Sequence, residues 1–185
     1  GPEATDRYVV MIMQSQAGVS GRTLGAVTIG GNTPTNHVSF VSTIAVVNSL
    51  ITLIAGISIP TGTTATFSAA FSGNMDATML HTYVLNNLSS TTPDFTAQAA
   101  SNAAVASIST TIDVSAGGVL LLVGGSQSSG IDLTGATEDA ESTGGTSGMA
   151  TGSEQFLPAE TARAIAAARS GPGTMNAAVG AAVWH

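Results

Sequence analysis

The stretch from Ile44 to Phe71 reads IAVVNSLITLIAGISIPTGTTATFSAAF, and its first sixteen residues, 44–59, carry no charge. A helix that spans a membrane needs about 20 predominantly apolar residues. This run is shorter, polar residues such as Asn48 and Thr52 interrupt it, and Pro60 ends it. The sequence therefore predicts that the run belongs to a folded domain and is not inserted in a membrane.

The same run favours β-structure over an amphipathic helix. Its apolar residues would lie nearly all round a helix instead of along one stripe, and many of them are β-branched. The segment Pro60-Thr61-Gly62 is a turn signal, and beyond it polar and apolar residues alternate from Thr64 to Ala69, with the period of a half-buried strand. We therefore predict one hairpin, with strands over 44–59 and 64–71.

Similar short segments recur along the chain, separated by glycine-rich or polar turns. They include RYVVMIMQ at 7–14, ATMLHTYVL at 77–85, VLLLV at 119–123, IDLTGATEDAEST at 131–143 and MNAAVGAAVW at 175–184. A succession of this kind predicts an all-β fold, an antiparallel β-sandwich of jelly-roll or immunoglobulin-like type with about 8 strands. We expect a single domain over 1–185.

One segment leaves two alternatives open. The residues PAETARAIAAARSGPG, which begin at Pro158, have proline at a suitable first helical position, strong helix formers, and glycine and proline after the end. Propensity therefore predicts a short helix near 158–170. Alternation of alanine and isoleucine is also compatible with a strand. Because a sandwich without a strand there would expose an edge, we assign the segment to a strand and keep the short helix as the alternative.

The charge composition limits the classes of partner. Only 8% of the residues are charged, against about 25% in an average protein. The chain contains no lysine, and its net charge is -7, so we expect phosphate backbones to repel it and predict no nucleic-acid partner. The absence of cysteine excludes a disulfide framework, a thiolate metal site and a cysteine nucleophile.

The internal histidines and the few aromatic residues are interpreted as structural. His37 and His81 lie on separate predicted strands, without the spacing of metal ligands, and no G-x-S-x-G motif accompanies them. Aromatic residues make up only 4% of the chain. Tyr8, Tyr83 and Trp184 are the candidates for stacking on a sugar, and Trp184, at the end of an apolar strand, is expected in the core.

The densest group of charges consists of Asp132, Glu138, Asp139 and Glu141. These carboxylates are weak candidates for Ca²⁺ ligands or for a glycosidase pair, although the EF-hand pattern is absent. We favour the alternative that they keep a strand edge hydrated and discourage edge-to-edge pairing. The glycine-rich segment from Gly124 lacks the lysine of a P-loop. We therefore predict neither a catalytic site nor a cofactor.

A family resemblance is carried by six segments in order: RYVVMIM, RTLGAVTIGG, ISIPTGTTATFSAAFSG, TTIDVSAGGVLLLVGG, LTGATED and SGPGTMNAAVGAAVW. Together, over about residues 6–184, they resemble a β-sandwich module of tailed-bacteriophage and gene-transfer-agent structural proteins. The resemblance implies a fibre, spike or head-decoration protein on the virion surface. It also implies a homotrimer, contacts with other virion proteins, and exposed loops that contact host polysaccharide. It implies no catalytic residues.

The chain departs from this module in two places. Another strand usually precedes the RYVV segment, whereas only Gly1 to Thr5 do so here, so we expect 1–5 to be a tag remnant or a truncated strand. The module also implies a strand where propensity predicts the helix near 158–170. The competing functional hypotheses are a secreted bacterial carbohydrate-binding module or adhesin, and a glycoside hydrolase or lyase that uses Glu138 or Asp139.

Overall fold

A computed structural model of the chain describes residues 7–44, 48–59, 61–62, 64–127, 130–144, 147–171, 173 and 176–185. Every regular element in these ranges is a β-strand, and every strand pairing is antiparallel. The prediction of an all-β antiparallel sandwich is therefore confirmed. Over the same ranges, no helix is long and apolar enough to cross a membrane.

The described residues form 14 strands, more than the eight or so predicted. They are β1 (Tyr8–Ala17), β2 (Leu24–Ile29), β3 (Thr35–Ile44), β4 (Asn48–Ser58), β5 (Phe67–Phe71), β6 (Ala77–Leu85), β7 (Phe95–Ala100), β8 (Ser107–Val114), β9 (Gly118–Ser126), β10 (Ile131–Thr134), β11 (Thr137–Gly144), β12 (Ser147–Leu157), β13 (Glu160–Arg169) and β14 (Ala177–Trp184).

These strands form four sheets. The two central sheets have the strand orders β3-β4-β1-β6 and β11-β12-β9-β14-β7, and we call them the four-stranded and the five-stranded sheet. The two outer sheets are the two-stranded sheet β2-β5 and the three-stranded sheet β10-β13-β8. Three clusters of buried side chains separate the sheets, so the layers stack in the order two-, four-, five- and three-stranded.

Burial on both faces explains the long apolar runs. In β1 every residue is buried: Val10 and Ile12 pack toward the five-stranded sheet, while Met11 and Met13 pack toward the two-stranded sheet. A strand with two buried faces loses the alternation of polar and apolar residues that marks a half-buried strand. For the same reason β4, β9 and β14 are almost continuously apolar, and the core position expected for Trp184 is confirmed.

The predicted hairpin over 44–71 is wrong. β4 pairs with β1 and β3, whereas β5 pairs with β2 in the outer sheet. The chain therefore passes from one layer to the next between these strands, and residues 45–47, Pro60 and Thr63 lie outside the described residues. The change of pattern at the turn, from continuously apolar to alternating, reflects the change from a doubly buried strand to a half-buried one.

The strand alternative for 158–170 is confirmed as β13, and the short helix is wrong. Ile165 and Ala167 are fully buried against the five-stranded sheet. A Cβ placed on Gly124 would lie 3.0 Å from the Cβ of Ala167, so small alanine side chains allow the layers to approach closely. Tertiary packing has here overridden helix propensity.

The segment 131–143 is not one strand. Gly135, with φ +106°, lies between β10 and β11, which belong to different sheets. Two further strands, β7 and β12, were not predicted. Their sequences, FTAQAA and SGMATGSEQFL, consist largely of small or polar residues, which give a weak hydrophobic pattern.

Candidate functional site

The four acidic residues predicted as calcium candidates lie on the edge strands β10 and β11. Burial raises the pKa of Glu138, and the neighbouring charges of Glu141 and Asp132 raise it further. Asp139 is the extra residue of a β-bulge and is directed elsewhere, since it accepts a hydrogen bond from the Tyr83 hydroxyl at 2.6 Å. Within the described ranges, no three His, Asp or Glu side chains are placed to hold a metal ion. Calcium binding by this group stays a prediction.

His37 belongs to an aromatic cluster between the central sheets. Its Nε2 lies 2.7 Å from the Tyr8 hydroxyl, and its ring meets Trp184 edge to face at 5.4 Å. Burial lowers the pKa of His37 and raises the pKa of Tyr8 to about 12. Both shifts favour the neutral forms, in which the phenol donates to the imidazole. These contacts are those of a structural histidine.

His81 lies on the opposite edge strand of the four-stranded sheet, so the structure does not bring the two histidines together. Its Nδ1 is 2.6 Å from the Thr151 hydroxyl, and its ring packs against Tyr83 at 4.6 Å. Burial raises the pKa of Tyr83, and its hydrogen bond to Asp139 raises it further. This polar group connects β6 to β11 and β12 across the central interface.

A groove of about 370 Å³ opens beside this group, where β6 and the residues after it face β9 and β12. Val119 and Leu121 contribute its apolar floor. Among the described residues that line it there is no Asp, Glu, Lys or Arg. The polar and aromatic side chains around the groove are Tyr83, Asn86, Asn87, Ser153, Gln155, Phe156 and His185.

Phe156 is the most unusual residue of the groove. It is 84% exposed, the largest exposure of any bulky apolar side chain in the described residues. Its φ is +57°, a left-handed backbone conformation that costs a bulky residue roughly 1–2 kcal/mol. Strain of this kind persists only where the surrounding structure fixes it, and it is concentrated at functional sites.

Contacts on both sides of Phe156 fix its conformation. Before it, Glu154 accepts a hydrogen bond from the Arg163 guanidinium of β13 at 2.5 Å. After it, Leu157 is buried in the core beneath the three-stranded sheet, and its carbonyl accepts from the Gly117 N–H at 2.8 Å. In a regular strand, residues three apart lie on opposite faces. Because Glu154 and Leu157 face the same sheet, a bulge must intervene, and it displaces Phe156 into solvent.

The opposite wall of the groove is also anchored. The carbonyl of His185 accepts hydrogen bonds from the N–H and the hydroxyl of Ser89, at 2.8 and 2.9 Å. The imidazole of His185 is paired with Asp94, and the Trp184 indole donates to the Thr91 carbonyl at 3.2 Å. The segment 86–94 is therefore held against the end of β14.

Comparisons with protein-family models, with curated proteins and with solved structures found no match to this chain. The kind of ligand that suits the groove is therefore inferred from the residues that line it.

The groove combines one exposed aromatic ring, an apolar floor and several carboxamides. Asparagine and glutamine both donate and accept hydrogen bonds, as sugar hydroxyls do, and an aromatic face packs on the C–H groups of a sugar ring. Among the predicted stacking residues, Tyr83 lines the groove, whereas Tyr8 and Trp184 are buried. Phe156 was not predicted from the sequence. Its signal was two adjacent apolar residues, Phe156 and Leu157, where strand alternation allows one.

Proposed function

We propose that this chain is a surface module of a phage-like particle, a spike, fibre or decoration protein, and that it binds neutral saccharide in the groove beside Phe156. The observation that carries the saccharide role is the exposed, strained Phe156. A protein that only needs to fold gains nothing from exposing a phenylalanine at positive φ. A ligand that covers the ring would offset the cost of exposing the apolar side chain and the backbone strain.

The charge of the chain supports a neutral ligand. The net charge of -7 disfavours polyanions such as nucleic acid, and the described lining of the groove has no fixed charge. Amide and hydroxyl groups can then supply the orienting hydrogen bonds, while the aromatic ring and the floor supply apolar contact. This combination favours a hydroxyl-rich, uncharged ligand.

The particle role is supported by the resemblance of the sequence to virion sandwich modules. The proposal includes self-association as a homotrimer and contacts with other virion proteins. Light scattering is expected to give three times the 18.2 kDa mass of one chain. A mass of one chain at micromolar concentration would contradict the trimer.

The saccharide role is tested by applying the purified chain to a glycan array and titrating the best saccharide by calorimetry. Replacing Phe156 by alanine is expected to weaken binding at least about tenfold, which corresponds to 1.4 kcal/mol. Phe95 offers a matched control, because it is 37% exposed on β7 and does not line the groove. Equal affinities of the wild type and Phe156→Ala would overturn the assignment of the site.

The particle role needs a separate measurement. Mass spectrometry of purified particles from the source organism is expected to detect the chain. A chain that binds saccharide but is absent from the particles would instead be a secreted carbohydrate-binding module or adhesin, since the groove is formed within a single chain.

A further inference from the structure

A second surface lies on the other face of the four-stranded sheet and shares Val84 with the groove. Among the described residues, the two-stranded sheet packs on β4 and β1. The outer face of β6 is exposed, and the segment that leads into β5 borders it at Thr82 and Val84. Every second residue of β6 faces outward there and is exposed: Thr78, Leu80, Thr82 and Val84. Leu80 and Val84 are each 45% exposed, although both are large aliphatic residues in a strand.

A cavity of about 290 Å³ lies under the free side of β5. It is bounded by Met11 and Met13 of β1, by Phe67 and Phe71 of β5, and by Leu80 of β6. The two-stranded sheet therefore ends one strand short of covering the sheet beneath it. Adjacent strands are about 4.8 Å apart, so the open strip above β6 has the width of a single strand.

The backbone of β5 presents a free edge to this strip. The Thr66 carbonyl accepts from the Gly30 N–H at 2.8 Å, and the Ser72 N–H donates to the Thr23 carbonyl at 3.1 Å, so these residues bond toward β2. Because backbone groups alternate along a strand, those of Phe67, Ala69 and Phe71 point the other way. Within the described residues no strand pairs with β5 on that side.

The equivalent edge on the other flank is different. β2 carries a bulge between Leu24 and Val27, and bulges protect edges from pairing. β5 is regular in its pairing and has no charged residue. The acidic protection present on β11 is missing from it. The open edge of β5 is thus the one suited to accept a further strand.

We propose that the free edge of β5 binds an extended, uncharged segment of another polypeptide, which completes the two-stranded sheet and covers β6. Its backbone would pair with Phe67, Ala69 and Phe71, and its inward apolar side chains, at every second position, would rest on Leu80 and Val84. Such a contact would join the module to a neighbouring protein, and it would approach the groove beside Phe156 at Val84, which also lines that groove.

The β5 strand of a second copy does not fit this edge. A twofold axis normal to the sheets would place β5 of the second copy beside β5, directly above β6. Because β1 lies beneath β5 in each copy, β1 of the second copy would then occupy the position of β6. A twofold axis along the strands would turn the partner's apolar β5 face away from the strip. The occupant is therefore an extended segment and not the same edge of an identical chain.

Fluorescence anisotropy can test this with a labelled peptide of alternating valine and threonine that ends in solubilising lysines. The same peptide with alternate amides N-methylated is the matched control, because it keeps the side chains and the charge and loses the hydrogen bonds. We expect the unmodified peptide to bind at least about tenfold more tightly. Equal binding of the two peptides, or no binding of either, would overturn the proposal.

Protein variants locate the site. Leu80→Glu places a charge on the floor, and Ala69→Pro removes an outward N–H that β2 does not use; both are expected to reduce peptide binding tenfold or more. Val41→Glu is the control, since Val41 is 41% exposed on β3, at the other flank of the same sheet. Thermal unfolding confirms that each variant is folded. If Leu80→Glu instead converts an oligomer of the chain into monomers, a second copy occupies the strip and the proposal is wrong.

Discussion

The two faces of β1 are packed in different ways. On the side of the five-stranded sheet, side chains of the four-stranded sheet pack directly on glycine backbone. A Cβ on Gly125 would lie 2.1 Å from the Gln14 amide, and one on Gly180 would lie 2.9 Å from Val38. On the side of the two-stranded sheet, Met11 and Met13 border a cavity. Methionine side chains adapt to irregular space. The interface with the five-stranded sheet is therefore closely packed, whereas the interface with the two-stranded sheet has room for a further strand.

The largest difference between the two interfaces is expected from removing an aromatic side chain. Trp184 is fully buried between the central sheets, so Trp184→Ala should lower the free energy of unfolding by about 3–5 kcal/mol. Phe67 is half-buried beside the outer cavity, and Phe67→Ala should cost about 1–2 kcal/mol by the same reasoning. Urea denaturation measures both, and equal losses would show that the two interfaces are not packed differently.

Glycine substitution should give the next largest effect. Gly125→Ala inserts a methyl group where the buried Gln14 amide donates to Thr52 at 3.2 Å, and we expect a loss of about 1–3 kcal/mol. Gly25 of the outer sheet is the control. A Cβ there would meet Ala70 at an ordinary 3.4 Å, and the change should stay within about 0.5 kcal/mol. A neutral Gly125→Ala would contradict the tight inner interface.

Phe156 should behave in the opposite way, because its backbone is strained and its side chain is exposed. Phe156→Gly is expected to raise the free energy of unfolding by about 1 kcal/mol and to abolish saccharide binding. Thermal unfolding and the saccharide titration together check this. A residue that served only the fold would lose stability on substitution, so a destabilised Phe156→Gly would contradict the functional assignment.

The smallest effect should be a pH dependence at the inner interface. Burial lowers the pKa of His37, so below the unfolded value of about 6.5 the unfolded chain binds the proton first. Stability should therefore fall as the pH decreases from that value toward the folded pKa, and should not change above it. His37→Gln keeps an acceptor for the Tyr8 hydroxyl and should remove this contribution. An unchanged pH profile in the variant would contradict it.

The sequence predicted strands best where both faces of the strand are buried. β1 and β9 were recognised because both of their faces are buried and their apolar runs are short. β12 was missed because buried small and polar residues such as Ser147 and Thr151 give it a weak hydrophobic pattern. Propensity predicted a helix near 158–170 because alanine favours helices locally. In this fold the small alanine side chains instead allow closely packed sheets.

The candidate groove was less predictable than the fold. The predicted stacking residue Tyr83 lines it, but Phe156 reaches the surface only because Glu154 and Leu157 are both held against the same sheet. That requirement depends on Arg163 and on a core formed by distant strands. The adjacent apolar residues Phe156 and Leu157 do not by themselves show which of the two reaches the surface.

By itself, the sequence determined that this chain is all-β, that few of its residues are charged, and that its longest apolar runs are strands. Hydrophobic burial and β-branching act locally, and so they can be read along the chain. Only the tertiary structure decided that IAVVNSLITLIAGISIPTGTTATFSAAF is divided between layers, that four sheets stack on one another, and where a bulge forces an aromatic ring outward. Those features depend on which strands meet, and long-range packing sets that choice.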